Sequence, residues 1–170
     1  MKIFIEEQKF NQTWLFIGLA IAFIAVSLPI IKDWNIIFQG SFPEILNDLK
    51  GFLVILFVVL LFNFFKLKTR IDEKGIYYQY LPFHFSYRFL PWNSVVKCYV
   101  RNYNAVLEYG GWGLKFSFRK SNGKSFSVKG NLGLQIALLN GENILIGTQK
   151  KEEIQRTIDT YQHKIITDEN

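Results

Sequence analysis

The sequence predicts an α+β protein: a two-helix transmembrane hairpin, then an antiparallel β-barrel or sandwich capped by a C-terminal helix. Three observations predict it. Residues 13–31 and 51–65 are uncharged, strongly apolar runs. Beyond Phe65 the pattern becomes an alternation of polar and apolar residues broken by hairpin turns. Near the C-terminus it switches once more, to helical spacing.

Thr13–Ile31 spans about 28 Å as a helix at 1.5 Å per residue, close to the ~30 Å hydrocarbon core of a bilayer. Trp14 and Trp34 fall near its two ends, where amphipathic rings favour an interface. The second run is shorter, but Ser41 and Glu44 around Pro43 read as a capping box that starts its helix earlier. Spans of about 13–31 and 47–66 result, within a membrane unit of residues 1–67 and ahead of a β domain of residues 68–170. A cleaved signal peptide fits less well, because Glu6 and Glu7 spoil a basic leader. A buried core helix is disfavoured because neither run shows a polar face at helical spacing, and a re-entrant second segment is the third alternative.

Charge sets the expected orientation. From Lys66 to the end there are 16 basic and nine acidic residues, whereas the segment from Lys32 to Lys50 is mildly acidic. By the positive-inside rule both termini are expected in the cytoplasm, as a multi-pass inner-membrane protein. The single cysteine, Cys98, allows no internal disulfide.

In the β domain, Lys74-Gly75, Asn122-Gly123 and Asn140-Gly141 supply turn chemistry between runs rich in aromatic and β-branched residues. Strands are expected near 69–72, 75–81, 84–90, 94–101, 112–119, 124–129, 132–138 and 143–147. Leu114, Phe116 and Phe118 share one face with Phe126 and Val128. Lys115, Ser117 and Arg119 then point outward beside Ser125, Ser127 and Lys129, as in a sheet with one buried face. Ile154, Ile158, Tyr161 and Ile165 mark a helix over about 149–166, with Thr148 as its N-cap.

Three stretches carry a resemblance: Glu108-Tyr109-Gly110-Gly111-Trp112-Gly113, Gly130-Asn131-Leu132-Gly133-Leu134-Gln135 and Ile144-Leu145-Ile146-Gly147-Thr148-Gln149. With two membrane helices ahead of them, they resemble membrane-anchored bacterial PH-like domain proteins, a group of small membrane proteins. The likeness covers most of the chain. It implies a PH-like fold and an inner-membrane location, and no activity. Phosphoinositide binding does not carry over, because Asp72-Glu73-Lys74-Gly75 stands at the first hairpin loop.

Two candidate surfaces follow. The first is a ligand or partner site of Glu108, Tyr109, Gly110, Gly111, Trp112, Gly113 and Asn131. Its competing reading is a bulge or sharp corner where Trp112 packs inward. The second is a basic surface of Lys66, Lys68 and Arg70 beside the membrane and Lys115, Arg119 and Lys129 on the sheet. Juxtamembrane basic residues gain about 1 kcal/mol each from an anionic leaflet, although topology or a solvated sheet face explains the same residues. His84 and His163 lack metal-ligand spacing, and no nucleophile motif is present.

The sequence therefore points to a non-enzymatic module, without cofactor or metal, that binds or tethers a protein partner at the inner membrane. Its expected partners are the lipid bilayer and a membrane or membrane-proximal protein. Nucleic acid is not expected, because aromatic and basic residues alternate onto opposite faces. Binding of an anionic lipid headgroup or small ligand is the alternative. A third is an accessory subunit of a membrane enzyme or transporter.

Overall fold

The computed structural model describes residues 2–10, 13–32, 42–117 and 123–166. The chain divides into two compact units, one of residues 11–64 and one of residues 1–10 with 65–170. Residues 1–10, placed by the sequence ahead of the β domain and without a strand, thus belong to the same unit as residues 65–170.

Residues 11–64 hold α1 (Thr13–Lys32) and α2 (Phe42–Phe64). They pack antiparallel. Phe23 lies against Phe52 at 5.0 Å between ring centroids, and Gly51 lets Val26 approach so closely that a Cβ there would sit 2.9 Å from Val26 Cγ1. Among the described residues no helix is long and apolar enough to cross a membrane. The transmembrane hairpin and the multi-pass inner-membrane placement expected from the sequence are therefore not supported. Glu44, Asp48 and Lys50 occupy the first turns of α2, which leaves Gly51–Phe62 as its apolar part. That part is about 18 Å long at 1.5 Å per residue, against a ~30 Å hydrocarbon core. Trp34 and Ser41, expected at an interface and in a capping box, lie outside the described residues.

The β domain begins with β1 (Phe4–Lys9), which pairs antiparallel with β2 (Lys66–Ile71). β3 (Gly75–Leu81) and β4 (Arg88–Pro91) complete a four-stranded sheet in the order β1-β2-β3-β4. A short 3-10 turn, Trp92–Ser94, leads to β5 (Val95–Asn102), and α3 (Ala105–Tyr109) follows. Next come β6 (Gly113–Phe116), β7 (Lys124–Ser127), β8 (Leu132–Leu138) and β9 (Asn143–Gly147). They form a second sheet in the order β5-β8-β9-β7-β6. The chain closes with α4 (Lys151–Tyr161) and a 3-10 turn.

This second sheet is not wholly antiparallel. β7 and β9 pair in parallel, Phe126 opposite Ile146, because β8 inserts as a long return strand between β5 and β9. The two sheets bury one core. Phe4, Leu67, Ile71, Ile76 and Tyr80 come from the first, and Phe126, Leu134, Ile136, Ile144 and Ile146 from the second. Ile154, Ile158 and Tyr161 of α4 join that core, as their helical spacing leads one to expect.

The outer face of the second sheet is also covered, contrary to the single buried face expected. Tyr103, Ala105 and Tyr109 form a second cluster with Leu145 on β9, and the neighbouring Ser125 and Ser127 are fully buried. Phe116, expected inward, is instead exposed. It lies on β6, the edge strand of this sheet among the described residues.

Thr148 does not cap α4. Its hydroxyl accepts from Lys150 N at 3.1 Å and donates to Glu6 Oε2 at 2.7 Å. Glu6 Oε1 also accepts from Gln149 N at 2.8 Å. A carboxylate from the first strand thus satisfies donors just ahead of α4, where negative charge is favoured.

Candidate partner-binding surfaces

The glycine-rich candidate region is a capped turn. Asn104 lies at the N-terminus of α3, and its Oδ1 accepts from Val106 N at 3.1 Å and Leu107 N at 3.0 Å. Glu108 reaches back to accept from Asn104 N at 2.8 Å, so the reciprocal logic of a capping box holds. The same carboxylate takes a forked pair of bonds from Arg101, at 3.2 and 2.8 Å. Burial works against the Arg101 charge, and the Glu108 carboxylate outweighs it to hold the guanidinium pKa up. At the other end Gly110 has φ +74, the left-handed conformation that closes a helix most cheaply when no Cβ is present.

Tyr109 is buried, and burial pushes its phenol above the ordinary range. Trp112 packs partly against that cluster and donates Nε1–H to Gly130 O at 2.8 Å. Asn131, exposed at its side chain, accepts through its carbonyl from Tyr103 N at 2.8 Å. Gln149 holds the same turn by donating to Lys129 O at 2.9 Å. The structure therefore does bring Glu108–Gly113 beside Gly130 and Asn131. It uses their polar groups to fasten one turn onto another, and Gly111 and Gly113 adopt positive φ within that connection. Arg101 and Asn104, central to this arrangement, escaped the sequence reading. The Asn104…Glu108 spacing, one residue longer than a standard capping box, was the available signal.

The basic candidates are spread over both sheets. Lys68 Nζ lies 3.7 Å from Glu7 on β1, and Arg70 lies 3.0 Å from Asp72. Arg70 also stands over the Tyr77 ring. Lys66 pairs in register with Lys9. Lys115 and Lys129 are half-buried at the β6–β7 end of the second sheet. Arg119 lies outside the described residues. The outward stripe expected to run through Ser125 and Ser127 is interrupted, because those positions are covered.

A third surface emerges only in the structure. Phe83, Phe85, Tyr87 and Phe89, on the approach to β4 and on the strand itself, are all exposed, Phe85 by 90%. β4 ends its sheet, and Phe89 stacks on Tyr77 of β3 at 4.5 Å. Gly75 makes the close β3–β4 approach possible, since a Cβ there would lie 2.2 Å from Leu90 O.

His84 sits within this aromatic segment, its ring 5.3 Å from that of Phe126. Its Nδ1 accepts from Tyr80 N at 3.4 Å. Burial, aided by the nearby Arg88 charge, lowers its pKa below the ordinary 6.5. As pH falls, the unfolded chain then takes up the proton before the folded one does. The stability contribution is complete above pH 6.5 and is lost as pH drops through the folded value. Thermal melts at pH 8 and pH 5.5 should show a destabilisation that His84→Asn reduces, since Asn keeps an acceptor and cannot titrate. An identical pH response in that variant would rule His84 out as the source.

Cys98 packs against the main core, and burial pushes its thiol well up. Among the described residues no group of three His, Cys, Asp or Glu side chains is placed to hold a metal ion. No model of a known protein family matches this chain. No curated protein matches it either.

Proposed function

We propose that the β domain is a non-enzymatic binding module that takes an extended segment of a protein partner onto its β4 edge. One observation carries this reading: a terminal strand bordered by four exposed aromatic side chains within seven residues. A sheet edge offers unpaired backbone groups to an incoming strand. Aromatic side chains dominate the energy of such contacts. β4 is short and ends in Pro91, which limits promiscuous pairing and lets side chains rather than length set specificity.

The carboxylates support the same reading. Glu6, Asp72 and Glu108 are each tied to backbone or guanidinium donors inside the fold. The glycine-rich turn is fastened in a comparable way, by Trp112 donating to Gly130 O.

A photo-crosslinker placed at Phe85 should capture a partner of defined mass, and Phe89→Lys should abolish that capture. One exposed aromatic contact is worth about 1–2 kcal/mol, so Phe85→Ser should weaken binding roughly tenfold. The melting temperature should stay within a few degrees, because Phe85 buries almost nothing. Capture from a crosslinker at Leu107 but not at Phe85 would move the site to the glycine-rich turn. Binding to anionic vesicles that salt abolishes and Phe89→Lys leaves intact would favour a lipid headgroup instead.

A further inference from the structure

Between Phe83 and Pro91, Arg88 is the only Lys, Arg, Asp or Glu in the sequence. It opens β4, where it pairs in register with Tyr78, and the next residue, Phe89, pairs with Tyr77. Successive residues of a strand point to opposite faces. Phe89 therefore lies on the outer face, stacked on Tyr77. Arg88 lies on the face of Tyr78, whose ring packs on Phe126 at 4.8 Å between centroids.

Arg88 is exposed, and among the described residues no ion pair includes it. The acids of the neighbourhood are committed elsewhere. Glu142, whose charge reaches Tyr78 as that of Arg88 does, accepts from Lys124 Nζ at 3.3 Å. Asp72 is bound to Arg70. Glu73 stands beyond Gly75, at the Pro91 end of the ladder. The Arg88 charge is felt inside the fold, since after burial it is the cause that lowers the His84 pKa. The edge thus presents one cation whose counter-charge this chain does not supply.

We infer that the segment taken up at β4 is acidic at the position opposite Arg88 and apolar at the adjoining position beside Phe89. This names the partner chemistry of the β4 edge and rests on that reading. In an added strand, whichever way it runs, one side chain lies opposite Arg88 and the next falls on the other face. A carboxylate opposite Arg88 provides the missing counter-charge, and a lysine there is repelled. An aromatic or β-branched residue beside Phe89 extends the Tyr77–Phe89 stack by one strand. The partner is accordingly an extended segment in which Glu or Asp adjoins an aromatic or aliphatic residue.

Two synthetic strand peptides test it. Both alternate Thr and Val, and they differ only in a central Glu-Phe or Lys-Phe, with Phe on the Val face. Each is offered below saturation to the full chain carrying a photo-crosslinker at Phe85. The Glu peptide should crosslink about five- to tenfold more than the Lys peptide. Arg88→Glu should reverse that order and Arg88→Gln should erase it. Because Arg88 is exposed and unpaired, both variants should melt as the unaltered chain does. Equal yields from the two peptides, or a preference that survives in Arg88→Gln, would overturn the inference and leave the β4 edge standing. No crosslink from either peptide would sink the edge reading itself, and this inference with it.

Discussion

A chain lacking residues 2–10 should fail to fold its β domain. β1 supplies a six-residue ladder to β2 and places Phe4 in the core. Its polar side chains matter as much. Glu6 accepts from Thr148 and Gln149, Gln8 donates to Gly147 O at 2.7 Å, and Tyr161 donates to Lys2 O. Strand β1 thereby ties β9 and α4 to the first sheet across more than 130 residues of chain. A domain stabilised by about 5–15 kcal/mol cannot lose all of this and stay folded. The deletion should abolish the near-ultraviolet circular dichroism of the β domain and its resistance to protease. A graded version is Glu6→Ala, which strands the buried Thr148 hydroxyl and the part-buried Gln149 N–H and should cost about 2–3 kcal/mol in denaturant unfolding. A cooperative transition in the deletion variant at wild-type denaturant concentration would show β1 to be peripheral.

Trp92→Ala is expected to be the most damaging single substitution in the core, at about 3–5 kcal/mol. The indole is nearly fully buried and packs on Tyr161 of α4 at 5.6 Å between centroids. Its Nε1–H donates to Asp72 O at 2.9 Å, at the turn between β2 and β3. Removing it opens a cavity where three elements meet and leaves a buried carbonyl without its donor. Trp92→Phe separates the two effects: it keeps most of the volume and should lose about 1 kcal/mol for the hydrogen bond. Equal losses in the two variants would mean that the hydrogen bond, not the volume, carries the effect. Chemical denaturation followed by circular dichroism distinguishes these outcomes.

Legibility of the fold varied with how local the determinants were. β3, β8 and β9 coincide with the expected strands 75–81, 132–138 and 143–147. Each is bounded by turn residues whose effect is local, such as Asn140-Gly141, where Gly141 has φ +79. The expected strand 84–90 shortens to Arg88–Pro91, because residues 83–87 form an exposed turn held by Gln79 donating to His84 O and Phe85 O. α4 starts two residues later than expected, because Thr148 is committed to Glu6.

β1 was unreadable for a physical reason. Its alternation is inverted, with Glu6 and Gln8 inward and Ile5 outward. That inversion is stable only because Thr148, Gln149 and Gly147 wait for those polar groups from the far end of the chain. α3 was likewise hidden, since five residues carry too little periodicity to register. The candidate site was legible in part. Glycine composition drew attention to 110–113 and Asn131, and the structure does unite them. The exposed aromatic edge was invisible, because Phe85 in sequence is indistinguishable from a core phenylalanine.

By itself the sequence determined what short-range chemistry can specify: two helices in the apolar stretch, turns at glycine, strands between them and an amphipathic helix at the end. The tertiary structure decided which strand lies at an edge, which face is covered twice and which polar groups are buried. Those outcomes depend on partners more than a hundred residues away, and no local pattern encodes a distant partner. Among the described residues no helix is long and apolar enough to cross a membrane, and in α2 the charges at Glu44, Asp48 and Lys50 confine the apolar run to Gly51–Phe62.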